Sequence, residues 1–167
     1  TKIGSGITTL TGASTYTGVT TVSSGAKLAI SSIADGGSDS PIGAATGDAA
    51  NLVLESGSTL QYSGGASSGD RLFTLAGNAT IDTLAGEVSF TGAGALAYGA
   101  ANENRTLTFR RNTGTVTTVA AAIGDNGTGV VSVNAGILNQ RVYGTTALTG
   151  TNTYTGKTTV IYGALRA

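Results

Sequence analysis

The chain lacks the residues on which most enzyme and metal sites depend. Its 167 residues include no Cys, His, Met or Trp and a single Pro. Without His and Cys, the protein cannot form a Ser-His-Asp triad, a Cys-His pair or the common nitrogen and sulfur zinc sites. Only carboxylates, hydroxyls and a few cations remain for chemistry. We therefore predict that the protein is not an enzyme and needs no cofactor.

Charge is also scarce. Charged residues make up 11% of the chain, and nine Lys and Arg balance nine Asp and Glu. Because a neutral chain without a basic stripe does not attract a phosphate backbone, we expect no nucleic-acid partner. No apolar run is long enough to span a bilayer, and we expect neither membrane insertion nor a leader peptide in this stretch. The absence of Met, even at position 1, indicates a mature or internal segment of a longer protein.

Small and β-branched residues are abundant instead. The chain has 27 Gly, 29 Thr, 24 Ala and 15 Ser, yet 40% of it is hydrophobic and its mean hydropathy is +0.16. That apolar content predicts a folded chain rather than a disordered one. β-Branched residues recur at every second position in short runs, and residues that favour helices are few. The sequence therefore predicts an all-β fold.

Fourteen short runs are predicted to be strands. They are residues 7–10, 20–22, 27–30, 52–54, 59–62, 72–75, 80–84, 87–90, 95–98, 106–109, 116–119, 130–133, 142–148 and 158–161. A local pattern of an aliphatic residue, two residues, Gly and a nearby Leu recurs around Gly25, Gly57, Gly136 and Gly163. It predicts a corner between two strands, where the backbone adopts the left-handed conformation that Gly tolerates. Turns typical of hairpins are rare, which favours a coil over a sandwich.

One motif occurs twice. Residues 10–22 and 148–160 align at an offset of 138 and differ only where Ala13, Ser14 and Val19 give way to Thr, Asn and Lys. The motif residues are Gly12, Tyr16, Gly18, Val22 and Gly25 in the first copy and Gly150, Tyr154, Gly156, Val160 and Gly163 in the second. Because a repeated position indicates a repeated structural task, we expect each tyrosine ring to pack over the turn that ends at the next glycine, with its hydroxyl at the surface.

The repeated core Leu-Thr-Gly-x-x-Thr-Tyr-Thr-Gly-x-Thr-Thr-Val-x-x-Gly resembles the autotransporter-associated β-strand repeat, also called the passenger-associated transport repeat, of bacterial secreted and surface proteins. Segments between the copies, such as 51–54 and 122–125, are also similar to the connecting segments of that family, whereas residues 133–144 depart from its usual pattern. The resemblance implies a right-handed parallel β-helix, an extracellular or cell-surface location and no catalytic chemistry.

We predict a single continuous right-handed β-helix over residues 1–167, with about eight coils of roughly twenty residues. The offset of 138 predicts that residues 1–138 form one period and that residues 139–167 begin the next. Matching coils would stack head to tail, so we expect self-association or tandem repetition into a fibre. Seven coils per period predict an axial repeat of about 34 Å. The expected role is that of a structural fibre or adhesin stalk.

Two further hypotheses concern the carboxylates. Asp35, Asp39 and Asp48 lie in one loop rich in Gly and Ser, and three carboxylates so close in sequence are able to hold Ca²⁺. The alternative is a solvated loop in which each Asp bonds nearby backbone.

Glycan cleavage requires two carboxylates at a fixed separation and no His. Glu55, Asp70, Asp82 and Glu87 lie on or beside predicted strands. A glycan-binding or glycan-cleaving β-helix is therefore the alternative to a structural role, with host or environmental glycan surfaces as its partners.

Three arginines form the main cationic cluster. Alternation along a strand places Arg111 on the same side as Phe109 and places Arg110 on the opposite side. We expect Arg105, Arg110 and Arg111 to form salt bridges between neighbouring coils or chains rather than a patch for polyanions.

Overall fold

The computed structural model describes residues 6–136 and 143–167. These residues form sixteen β-strands and one short 3-10 turn, Ala49–Asn51, and they contain no α-helix. The predicted all-β fold is confirmed. The strands are β1 (Ile7–Leu10), β2 (Thr20–Val22), β3 (Lys27–Ile30), β4 (Leu52–Leu54), β5 (Thr59–Tyr62), β6 (Ser67–Gly69), β7 (Thr74–Leu75), β8 (Ala79–Thr83), β9 (Glu87–Phe90), β10 (Ala97–Tyr98), β11 (Arg105–Arg111), β12 (Val116–Val119), β13 (Val131–Ala135), β14 (Thr145–Leu148), β15 (Thr158–Val160) and β16 (Ala164–Arg166).

The strands form three parallel sheets. The seven-stranded sheet has the order β1-β3-β5-β8-β11-β13-β15, the four-stranded sheet β10-β7-β4-β2, and the five-stranded sheet β16-β14-β12-β9-β6. Every pairing between these strands is parallel. From β4 to β12 the chain passes from the four-stranded to the seven-stranded to the five-stranded sheet and back again. Each circuit is therefore one coil of a parallel β-helix.

The described residues make seven coils, one for each strand of the largest sheet, against the roughly eight expected. The strand register gives the coil lengths. Thr59 pairs with Thr80 in the next coil, whereas Lys27 pairs with Thr59, so the coil that begins at Lys27 is about half as long again. The expected coil length is thus right for the shortest coils alone, because the segments between strands differ in length from coil to coil.

Inward side chains stack in columns. In the seven-stranded sheet, consecutive coils place Leu28, Leu60, Ile81, Phe109 and Ala135 in register, and all five are buried. Full burial of a large aliphatic or aromatic side chain contributes about 1.5 to 3 kcal/mol. Because each of these side chains is covered by the coils above and below it, neighbouring coils stabilise one another.

Two strands escape prediction, and β11 extends well beyond its predicted run. Ser67–Gly69 (β6) has no β-branched or aromatic residue, and it is a strand because β9 pairs with it in parallel. The sequence also does not predict β16. Strand β11 extends to Arg111, beyond the predicted run 106–109, because it stays paired with β8 as far as Thr83. The predicted run 142–148 corresponds to β14, and residue 142 lies outside the described residues.

Loops cover two sheet edges where a coil omits a strand. Residues 31–48 connect β3 to β4 beside the edge of β6, and the Ile33 amide donates a hydrogen bond to Ser67 Oγ. Residues 120–130 connect β12 to β13 beside the edge of β10, where the Leu96 amide donates to the carbonyl of Ala122. Both loops thus lie against sheet edges that would otherwise be open.

Candidate functional site: the two tyrosine turns and the contacts between coils

The two motif copies close their turns with the same hydrogen bond. The hydroxyl of Tyr16 lies 2.8 Å from Oγ1 of Thr20, and the hydroxyl of Tyr154 lies 2.8 Å from Oγ1 of Thr158. The side chain of Tyr16 is 40% exposed, and Tyr154 is half-buried against the core. Each tyrosine hydroxyl therefore holds the start of the following strand, a partner that the sequence analysis did not foresee.

The two copies lie on different faces of the helix. In the first copy, Leu10 ends a strand of the seven-stranded sheet and Val22 ends a strand of the four-stranded sheet. In the second copy, Leu148 ends a strand of the five-stranded sheet and Val160 a strand of the seven-stranded sheet. Along the chain, the second copy therefore lies five coils and one further sheet after the first copy, and not the seven coils expected.

Burial differs between the equivalent motif residues Val22 and Val160. Val22 is fully buried, and its strand β2 pairs with β4, which places Leu54 beside it. Val160 is 49% exposed, and its strand β15 pairs with β13. Among the described strands, both β2 and β15 lie at the edge of their sheet, so the number of neighbouring strands does not account for the difference in burial.

The predicted glycine corners have the expected backbone. Gly25, Gly57, Gly136 and Gly163 have φ values of 70°, 72°, 95° and 80°, in the left-handed region. Gly25 and Gly57 stack at the corner between the four-stranded and seven-stranded sheets, and the Gly25 amide donates to the carbonyl of Ser56. Gly163 and Gly136 lie instead at the corner between the seven-stranded and five-stranded sheets. The local pattern therefore predicts that a corner is present, but it does not predict which two sheets the corner joins.

The remaining motif glycines differ in how closely the backbone packs. A Cβ atom at Gly12 or Gly18 would meet open space. At Gly150 a Cβ atom would lie 2.5 Å from the carbonyl oxygen of Ala120, and at Gly156 it would overlap the Val131 carbonyl. The second copy therefore requires glycine at these two positions because another coil passes directly beneath it.

A carboxylate holds the second tyrosine turn on the coil below. Asp125 accepts hydrogen bonds from the Val131 amide at 2.9 Å, from the Thr155 amide at 3.1 Å and from Thr155 Oγ1 at 2.7 Å. These donors lower the pKa of Asp125, with the Val131 amide contributing most. The turn also receives support from Ile123, whose amide donates to Asn152 Oδ1. From the sequence, Asp125 was placed only in a connecting segment, 122–125, and its spacing from Thr155 gave no signal.

The side chain of Arg71 lies within the loop 31–48 and bonds to its backbone. The buried guanidinium donates to the backbone carbonyls of Gly43 at 2.8 Å and Ala34 at 3.1 Å, with longer contacts to three other carbonyls of the loop. Burial lowers the pKa of Arg71, while Asp70 is the main group that opposes this effect. Asp70 in turn accepts a hydrogen bond from the Gly36 amide at 2.6 Å. Arg71 thus fixes the loop that covers the first tyrosine turn, where the Ala44 amide donates to the carbonyl of Tyr16.

The three candidate calcium ligands do not converge. Asp35 accepts a hydrogen bond from the Asp70 amide, and Asp48 accepts one from Thr46 Oγ1. Across residues 6–136 and 143–167, no group of three or more Asp or Glu side chains could hold a metal ion, so Asp39 completes no such group. The contacts of Asp35 and Asp48 match those of loop carboxylates that bond nearby backbone and hydroxyl groups.

The carboxylates considered for glycan cleavage face different surroundings. Asp82 is buried on the seven-stranded sheet, where Gln61 Nε2 donates to it at 3.1 Å. Glu55 accepts from the amide of Ser24 at another corner. Glu87 lines a shallow groove of about 250 Å³ on the five-stranded sheet, and Asp70 lies at the loop 31–48. The groove is lined by Ala66, Ser67, Ser68, Glu87 and Ser89. It contains one carboxylate and no aromatic side chain.

The arginine cluster divides as alternation predicted. Arg110 Nη1 lies 3.8 Å from Asp82 Oδ2 on the outer face of the adjacent coil, which confirms a salt bridge between coils. Arg105 pairs within its own coil, with Glu103 at 2.6 Å. Arg111 points inward and is 2% exposed. No carboxylate of the described residues forms an ion pair with it.

These features define a class of protein: a parallel β-helical repeat segment in which one tyrosine motif closes coils on different faces. A family model described as Passenger-associated-transport-repeat matches residues 1–30 and 143–167, the two regions that contain the motif. The match confirms the resemblance seen in the sequence, since both regions of this chain carry the repeat of secreted, cell-surface passengers.

A longer protein extends the similarity beyond the motif. The chain is 40% identical over 142 residues to the Adhesin BmaC autotransporter of Brucella suis biovar 1 (strain 1330). The alignment covers 83% of this chain but only 4% of that relative's length. No solved structure gives a significant match. In the described part of the chain, no helix has the length and apolar character needed to cross a membrane.

Proposed function

We propose that this chain is a non-enzymatic structural segment of a bacterial surface adhesin, where it serves as a stiff stalk or fibre. The observation that carries the proposal is the column of buried side chains that runs through five consecutive coils of the seven-coil stack. Six coil spacings of about 4.8 Å give a rod of about 30 Å. The similarity to an autotransporter adhesin supports this role.

The test compares binding and hydrolysis by the purified chain. A structural segment should neither release sugar from polysaccharides nor bind a glycan array in a saturable manner. Release of sugar, or saturable binding that Glu87→Gln abolishes, would contradict the proposal. Glu103→Gln is the matched control, because Glu103 is also an exposed carboxylate but lies outside the groove and pairs with Arg105.

The groove at Glu87 supports glycan binding as the second candidate function. Its serine hydroxyls and one carboxylate are the kind of polar groups that bond sugar hydroxyls. Under this alternative, Ser68→Ala and Ser89→Ala should weaken binding as Glu87→Gln does. Cleavage has less support than binding, because retaining and inverting hydrolysis both need a second carboxylate about 5 to 10 Å away, and the groove has one.

We also propose that units equivalent to residues 1–138 assemble into a longer fibre, as tandem repeats or stacked subunits. The shift of the motif by five coils and one face predicts an axial repeat of about 26 Å and a rotation of about one third of a turn per unit. Electron microscopy of native material should show thin fibres with this repeat. Compact particles without axial order would contradict the proposal.

A further inference from the structure

Arg111 is a buried cation that the structural role does not explain. Arg111 is the last residue of β11, in coil five, and its side chain is 2% exposed. Burial lowers its pKa, and none of the described carboxylates pairs with it. A buried charge is tolerated when polar groups surround it, and it is costly when those groups are removed.

The partners of Arg111 come from the two coils that follow its own. Nη1 donates to Thr146 Oγ1 at 2.5 Å in coil six. Nη2 donates to the carbonyl of Tyr162 at 2.9 Å, and Nη1 also donates to the carbonyl of Ala164 at 3.3 Å. Both carbonyls flank Gly163, the corner of the second motif copy. One side chain therefore joins three coils through the interior.

The close packing around this contact restricts how the corner can rearrange. A Cβ atom at Gly163 would lie 3.1 Å from Arg111 Nη2, and one at Gly144 would lie 2.8 Å from Arg111 Cβ. Nε of Arg111 is buried without a hydrogen-bond partner. The guanidinium thus depends on the corner of coil seven for two of its three acceptors.

We infer that Arg111 is an internal latch that couples the second motif copy to coil five. If residues 158–166 separate from the stack, Arg111 loses two acceptors while its charge stays inside the helix. Separation of this outer coil therefore carries a penalty that an apolar side chain would not impose. The latch makes coils five to seven open together rather than one at a time, whatever the protein binds.

Hydrogen exchange on the intact chain tests the latch. In Arg111→Met, which keeps length but removes the donors, we expect the amides of 158–166 to exchange about tenfold faster or more, while those of 52–62 keep their rates. Arg105→Met is the matched control, because Arg105 is also buried but bonds to carbonyls of its own coil. Unchanged exchange over 158–166, or the same acceleration in both variants, would overturn the inference.

A second variant covers the case in which Arg111→Met fails to fold. Thr146→Val removes the acceptor in coil six and keeps the shape, so the protein should fold, and separation of coil seven would then leave Arg111 without an acceptor. Exchange over 158–166 should therefore not rise in this variant, and a rise would overturn the latch. Trypsin provides an independent measurement, since Lys157 precedes β15 and Lys27 begins β3. In Arg111→Met, faster cleavage after Lys157 with unchanged cleavage after Lys27 supports the latch. Equal changes at both sites would overturn it.

Discussion

The hydroxyls of Thr83 and Thr117 lie 2.7 Å apart in the interior of the β-helix, and neither side chain reaches solvent. Thr83 ends a strand of the seven-stranded sheet, and Thr117 lies in the five-stranded sheet. The hydrogen bond therefore links two walls of the helix through a core that is otherwise mostly apolar.

Replacing only one threonine of this pair should lower the free energy of unfolding by more than the loss of a hydrogen bond alone, because the other hydroxyl stays buried without a partner. Thr83→Val leaves the Thr117 hydroxyl buried without its partner, which should lower the free energy of unfolding by about 1 to 3 kcal/mol. The double variant Thr83→Val, Thr117→Val should lose less than the sum of the two single changes, because no hydroxyl remains unpaired. Urea unfolding measures all three values, and simple additivity would show that the pair is not coupled.

Valine at a left-handed corner should destabilise the coil. Gly57→Val should lower the free energy of unfolding by about 1 to 3 kcal/mol through backbone strain. Gly136→Val should lower it further, because its Cβ would also lie 3.0 Å from the Tyr162 nitrogen. The control is Gly65→Ala, where a Cβ meets open space and φ is not positive. Thermal unfolding checks the order, and equal stability of all three variants would contradict it.

Asp125 should make the second tyrosine turn sensitive to acid. Its pKa is lower in the folded chain than its ordinary value, so its contribution is complete above about pH 4, the unfolded pKa, and is lost as pH falls through the folded pKa. Asp125→Asn should therefore lower the melting temperature at pH 7, and this difference should shrink as the pH falls below about 4. A difference from the unmodified chain that persists undiminished at low pH would contradict this role of the carboxylate.

The two tyrosine hydroxyls should differ in importance. Tyr16 bonds to Thr20, which is buried and also contacts the carbonyl of Ile42 at 3.3 Å. Tyr154 bonds to the exposed Thr158. Tyr16→Phe should lower the free energy of unfolding by about 1 kcal/mol, whereas Tyr154→Phe should cost less, since water replaces the lost partner. A larger effect of Tyr154→Phe in denaturant unfolding would reverse this interpretation.

Local features of the fold were predictable from the sequence because they depend on a few adjacent residues. The corner at Gly57 follows from a short pattern of aliphatic residues around glycine, and it needs no knowledge of the other coils. The inward direction of Arg111 and the outward direction of Arg110 follow from strand alternation. These predictions rest on backbone geometry within one strand or one turn.

Features that depend on pairing between coils were not predictable in this way. Ser67–Gly69 is a strand because β9 lies beside it, and the contact of Asp125 with Thr155 joins residues 30 positions apart. Loop lengths decide where each coil begins, and no local pattern encodes their sum. For the same reason, the sequence revealed two copies of one motif but not that they lie on different faces.

The displacement of the motif by one face determines how equivalent loops would be distributed around a fibre. The loop 31–48 covers the first tyrosine turn on the side of the five-stranded sheet. In a fibre of such units, the next loop would emerge a third of the circumference further round, and the third unit would complete the circuit. Identical loops would then form a helical array around the fibre axis. An approaching surface would meet the same chemistry from every direction, with no preferred side of the fibre.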